Sequence, residues 1–388
     1  MVPNLRFNGY TENWQKYRTI ELGQMQRGKS KHRPRDDEKL YGGAYPFIQT
    51  GDIKKANLYI KEYERTYSNY GLSQSKLWSK GTLCITIAAN IAETAILGLN
   101  ACFPDSVIGW ISNEKITNNI FIKYYFDFYK TQLKRLSVGG AQENLNLDKL
   151  ENVYFHIPTL PEQNDITNLL TKIDELIETQ IKIIELKQSL IKDIEDKLLW
   201  KSASTYSRHI SDFLTELNDK SKIQNQYPLL SSTKKGLFLQ TDYFNKEAAS
   251  SNNIGYKIVH EGDIIISPQN LWMGNITYND KFVNGLVSPS YRIYKVKEEY
   301  NAYYISRILM SYRALSLYKN ISEQGASIVR RNLNVDAFNE LCFPIPNIKK
   351  QDEVSLFLSK LHQELNSEIE ILRQLKNQKK YLLCNMFI

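Results

Sequence analysis

The chain repeats itself, and this constrains its fold more than any single motif does. Asn144-Leu145-Asn146-Leu147-Asp148 returns as Asn332-Leu333-Asn334-Val335-Asp336, 188 residues later. The same offset carries Phe155, Ile157, Pro158 and Gln163 onto Phe343, Ile345, Pro346 and Gln351. Upstream, Tyr45-Pro46 matches Tyr227-Pro228, Gly81-Thr82-Leu83 matches Gly262-Asp263-Ile264, and Tyr124-Tyr125 matches Tyr303-Tyr304, at offsets of 182, 181 and 179. The landmarks keep their order, and loop insertions explain the drift. Two copies of one unit of about 190 residues fill the 388-residue chain.

Each copy reads as a mixed part followed by one long helix. Segments 82–88, 263–267 and 291–296 are β-branched and aromatic runs between turn residues, so they read as strands. Segments 118–136 and 302–318 carry Tyr, Phe and Leu at helical spacing. Ile166, Leu170, Ile173, Ile177, Ile181, Ile184, Ile191, Ile194 and Leu198 then step by threes, fours and one seven. Val354, Leu358, Leu361, Leu365, Ile369, Leu372, Leu375 and Leu382 do the same in the second copy. Such steps make a coiled-coil seam. Prolines at 158 and 161, and at 344 and 346, mark the helix starts. The expected fold is α+β: two tandem mixed α/β domains at 1–160 and 201–348, each followed by a long helix, at 161–200 and 349–388. The two helices are expected to pack as an antiparallel coiled coil. The polar, Ser-rich stretch 201–208 is the expected linker.

Composition narrows the function. Lys and Arg total 50 against 42 Asp and Glu, a net +8 with pI near 9.0, which favours an anionic partner. The longest strongly apolar run, near 83–92, is half of a membrane span, so no membrane is expected. Residues 1–14 are polar and do not read as a signal peptide. Cys84, Cys102, Cys342 and Cys384 show no CxxC spacing, which fits a reducing cytoplasm. Gly23-Gln24-Met25-Gln26-Arg27-Gly28-Lys29-Ser30 matches GxxxxGK[ST], but no apolar strand precedes it and Pro34 stands where the helix must run. The match therefore reads as a decoy, and the same residues as part of a basic loop. His32, His156, His209, His260 and His362 form no HExxH or other metal spacing. There is no GxSxG elbow and no GxGxxG after a strand. No catalytic residue, metal site or cofactor is expected in this chain.

Several motifs together resemble the specificity (S) subunits of type I restriction-modification systems. They are Val2-Pro3-Asn4-Leu5-Arg6-Phe7 with Trp14, Tyr45-Pro46-Phe47-Ile48 ahead of Gly51-Asp52-Ile53, and Asn146-Leu147-Asp148-Lys149-Leu150. The last run leads through Ile157-Pro158 and Pro161-Glu162-Gln163 into the Leu/Ile helix. The second junction reads Ile348-Lys349-Lys350-Gln351, so the Pro-Glu is lost and the Gln kept. The resemblance spans the whole chain. It implies two target recognition domains, each reading one half of a bipartite double-stranded DNA target. It implies helices that set the gap and dock methyltransferase (M) subunits. S-adenosylmethionine, ATP and Mg would belong to those M subunits and to restriction (R) subunits. Gln49-Thr50-Gly51-Asp52 facing Ser231-Ser232-Thr233-Lys234 makes the expected target asymmetric. The competing reading is a coiled-coil scaffold with protein-binding globular ends, which needs no basic pI.

DNA contact needs cations for phosphates and Arg, Gln or Asn for base edges. In the first copy the candidates are Arg27, Lys29, Lys31, Arg33 and Arg35, a run of cations with no acid inside it. Gln49, Lys134, Arg135 and Gln142 join them, the last three flanking the glycine loop Gly139-Gly140. In the second copy they are Lys234, Lys235, Gln269, Asn270, Arg330 and Arg331. For any one of these residues a solvated surface position is the stronger reading, by about two to one.

Overall fold

The structure is a computed structural model. It describes the 388 residues except 138–144, 146, 202–204, 235, 244–251 and 325–330. Two compact units divide it: residues 1–183 with 368–388, and residues 184–367.

Unit one is built on a five-stranded sheet in the order Gly23–Arg27, Val107–Ser112, Leu83–Thr86, Thr94–Leu97, Tyr59–Ile60. All neighbours are antiparallel except the last pair. Strand alternation sends Leu83, Ile85, Ile108 and Trp110 to one face, under the helix Asn119–Ser137 with Phe121, Ile122 and Phe126. Cys84, Ala95 and Val107 face the other way, against Trp78 and Phe103. With both faces covered, the central strand is buried throughout and apolar but for Thr86, which is why it stands out in the sequence. A separate ribbon pairs Gln15–Arg18 with Tyr154–Ile157.

Unit two repeats this plan. Its sheet runs Leu214–Leu217, Arg292–Val296, Ile264–Ile266, Ile276–Tyr278, all antiparallel. These four strands follow the chain-to-space order of the first four in unit one. Thr205–His209 pairs with Cys342–Pro346 as Gln15–Arg18 pairs with Tyr154–Ile157. The expected linker at 201–208 is thereby corrected: Thr205–His209 is a strand because it completes this ribbon. The single helix expected at 302–318 is two, Ala302–Leu309 and Tyr312–Asn320, the second capped by the Ser311 hydroxyl.

The long helices are Leu160–Trp200 and Ile348–Met386. Pro161 lies in the first turn, where its missing N–H costs nothing. The same buried amide locks both starts. Gln163 Nε2 donates to the Pro158 carbonyl at 2.9 Å and Gln351 Nε2 to the Pro346 carbonyl at 2.8 Å. Gln163 also accepts from the Thr117 hydroxyl, and Gln351 from the Asn301 backbone N–H. Glu162 receives Arg6 through two hydrogen bonds of 2.7 and 2.8 Å, and the Trp14 indole N–H. Lys350 stands at its place in unit two, so only the amide half of the junction recurs.

Within unit one the helices run antiparallel: Gln180 bonds Glu368 and Asp174 bonds Lys379. Within unit two, Lys187 faces Glu364 and Glu195 faces His362. The seam corrects two expected positions. Ile181 and Ile369 are exposed, at 36% and 43%. Strict three–four alternation from Ile177 to Ile184 passes through Gln180, and from Leu365 to Leu372 through Glu368. Those polar residues occupy the seam and bond each other.

Candidate nucleic-acid interface

The Walker-like octapeptide begins as the strand Gly23–Arg27, and no helix follows Ser30. Gly28 passes so close to the Phe103 and Pro104 carbonyls that a Cβ would sit 2.4 Å from each. This is close backbone packing, and it turns the chain outward into 29–37. Arg27 at the strand end, and Lys29 and Lys31 in the loop, are exposed, without ion pairs among the described residues. Arg33 and Arg35 differ. Arg35 donates to both Asp105 oxygens at 2.9 Å, and Arg33 bonds the Ser30 and His32 carbonyls. The run is therefore not unopposed: Asp105, 70 residues on in sequence, neutralises part of it.

Gln49 precedes the helix Thr50–Lys55, its backbone N–H bonded to Asp52. Lys54 of that helix donates to Asn90 at 3.3 Å. Asn90 belongs to the turn after Leu83–Thr86, where Ala89 and Ala92 have φ of 57° and 60°. Left-handed alanines are strained, and such strain concentrates in binding loops. The Leu145 N–H closes the turn on the Ile87 carbonyl at 3.2 Å. Lys134 and Arg135 are exposed in the last turn of Asn119–Ser137. Gln142 and the glycine loop lie outside the described residues.

Unit two gathers its candidates more tightly. Gln269 and Asn270 follow the strand Ile264–Ile266, and the Arg331 N–H bonds the Gln269 carbonyl at 3.3 Å. In unit one a backbone bond from Leu145 to Ile87 likewise ties the turn after the central strand to the segment ahead of the ribbon, although Leu145 aligns with Leu333 and not with Arg331. The Arg331 guanidinium lies over the Trp272 ring, 4.6 Å from its centroid. Asn275 ties this loop to the hairpin Leu230–Thr233/Gly236–Leu239: it accepts from the Ser232 hydroxyl and donates to the Ser232 carbonyl. Exposed Lys234 is in the hairpin turn. Lys235 and Arg330 lie outside the described residues. The sequence reading missed Trp272 and Asn275. A tryptophan close behind Gln269-Asn270 and ahead of Gly274-Asn275 was the available signal for the first.

Chemically, a guanidinium stacked on an indole is planar and pre-oriented, suited to the two acceptors of guanine. Gln269 and Asn270 carry the amide that matches adenine. Among the described residues no three His, Cys, Asp or Glu side chains cluster as metal ligands would. No described helix is long and apolar enough to cross a membrane.

Residues 11–188 match the family model of the type I restriction modification DNA specificity domain. Two specificity subunits of Methanocaldococcus jannaschii are similar. The putative type I restriction enzyme MjaX specificity subunit is 27% identical over 191 residues, 48% of this chain and 43% of that protein. The MjaIX specificity subunit is 25% identical over 192 residues, 47% and 43%. The chain thus matches less than half the length of these curated relatives. In fold the likeness runs end to end. The type I S subunit of M. genitalium superposes with a TM-score of 0.61 at 16% identity, over 100% of this chain and 99% of that one. A chain from a structure on assembly of the type I R-M system gives 0.57 at 11%, over 96% and 97%. The resemblance to type I specificity subunits therefore stands, on sequence for the first unit and on fold for the whole length.

Proposed function

We propose that this chain is the DNA-recognition subunit of a type I restriction-modification complex. Each unit reads one half of a bipartite, asymmetric target, and the helix pair fixes the gap. The observation that carries this is the doubled plan. The same strand order and glutamine-locked helix start are built twice, in a chain whose first unit matches a DNA specificity domain. The unit-two loop adds base-reading chemistry at the place where unit one carries its strained turn. Exposed Leu186, Leu190, Leu356 and Phe357 give the helices apolar surface for docking M subunits. Methyl transfer and cleavage, with S-adenosylmethionine, ATP and Mg, belong to the M and R partners, so this chain is not an enzyme.

The test is co-expression with the M subunits of the same system and mapping of methylated bases. The expected result is one motif with two different half-sites and a fixed gap, and DNA retention that falls steeply with salt. A pure scaffold would give no DNA retention and leave the methylated motif independent of this chain.

A further inference from the structure

Unit two contains a cleft of about 520 Å³, walled by Glu216, Asn218, Lys257, Ser290, Tyr291 and Arg292. Lys257 is the unusual member. It is 8% exposed, in the strand Lys257–His260 paired with Asn284–Val287. Its ammonium makes no hydrogen bond or ion pair among the described residues. Burial pushes that ammonium below the ordinary lysine range; Glu216 opposes the shift, and Arg292 and Lys220 add to it. The only carboxylate in the wall, Glu216, is already taken by Arg292. The Tyr291 hydroxyl is spent on the Ser232 carbonyl. The wall therefore carries two cations against one carboxylate, with Lys257 itself buried and the amide of Asn218 and the hydroxyl of Ser290 exposed beside it. Burying a charge is costly unless a counter-charge completes it. The cleft also has an address: Pro268 forms part of its wall, next to Gln269 in the loop that holds Arg331.

We propose that this cleft seats one phosphate group of the DNA backbone, with Lys257 as its counter-ion, and so fixes unit two in register beside its base-reading loop. The assignment rests on the DNA-recognition role proposed above. A free phosphate ion offers the same oxyanion, so the test separates the two sources.

The full chain, with its M subunits, is compared with Lys257→Met, Lys257→Gln and Lys257→Arg. DNA affinity is measured over a salt series on target and non-target duplexes, and thermal stability with and without inorganic phosphate. Lys257→Met should fold with an undiminished Tm, since it keeps the stem and removes an unpaired buried charge. Its affinity should fall by a similar factor on every duplex, with the log–log salt slope shallower by about 0.9, the value for one phosphate. Lys257→Arg should restore the slope. Unchanged affinity and slope in a wild type that binds DNA would overturn the proposal, as would relaxed preference at a single base pair. Phosphate that stabilises the wild type but not Lys257→Met, with DNA binding equal in both, would assign the cleft to free phosphate instead. A wild type without DNA binding would sink the recognition role itself. If Lys257→Met and Lys257→Gln both failed to fold, Lys257 would be structural and the proposal wrong.

Discussion

His362 shows how one side chain registers its surroundings. Its Nδ1–H donates to the Leu358 carbonyl at 2.9 Å and lies 3.1 Å from the Tyr303 hydroxyl, and its Nε2 lies 3.6 Å from Glu195. Burial holds its pKa below the usual histidine value, Arg307 adds to this, and Glu195 and Asp280 oppose it. The sign follows. The unfolded chain takes up the proton first as pH falls below about 6.5, so acid favours unfolding. Stability should decline as pH drops through that window, and His362→Gln should flatten the decline. Melting curves from pH 7.5 to 5 test this, and a Tm that rises on acidification in the wild type contradicts it. Such effects were not legible in the sequence. Gln163 and Gln351 were visible as recurring landmarks, but nothing in a string says that each amide reaches back to a proline carbonyl. Arg35 counted as a cation, and Asp105 was too far along the chain to be seen opposing it.

The helices were the most legible elements, because a seven-residue apolar rhythm over several turns has few other meanings. What the rhythm concealed is its own polar beats. Ile181 drew the seam away from Gln180 because the apolar neighbour looked like the better member. Lys379 likewise occupies a seam position, four residues after Leu375 and three before Leu382. It bonds Asp174 at 2.6 Å, and Asp174 also receives the Tyr124 hydroxyl. Burial lowers the Lys379 pKa while Asp174 supports its charge. Lys379→Met alone should destabilise unit one by about 3–5 kcal/mol, the range for breaking a buried pair. Adding Asp174→Leu should recover most of that loss, because an apolar pair of similar size is often neutral. Urea unfolding of the double-mutant cycle measures both. A loss in the double variant equal to the sum of the two single losses would show that the pair is not coupled.

For the molecule as a whole, the doubled plan predicts modularity. Residues 209 and 346 both lie in the ribbon of Thr205–His209 and Cys342–Pro346. Replacing 209–346 with the matching part of a related subunit therefore enters and leaves the scaffold at one place. Methylation mapping should show one half-site changed and the other kept. Changes in both halves would mean that the units read DNA jointly. The doubling itself was readable from ordered landmarks. The DNA-facing surface was readable only as loops. Gln269 and Arg331 meet because a strand end and a distant ribbon share one backbone hydrogen bond, and Lys257 gave no sequence signal, being one lysine in an alternating strand.

Unit one is built from two separated stretches, residues 1–183 and 368–388. Leu382, Met386 and Phe387 lie in its core, with Phe387 among the rings of Trp14, Phe121, Tyr125 and Phe128. The Tyr125 hydroxyl bonds the Ile388 carbonyl, and the Leu5 N–H that of Asn385. Unit two is one continuous stretch. On the ribosome the order of birth is therefore not the order of completion. Residues 1–183 wait for 368–388, roughly ten to forty seconds at ordinary translation speed. During that interval the half-finished aromatic core of unit one is an exposed adhesive surface, and a chaperone that shields it would decide the yield of the protein.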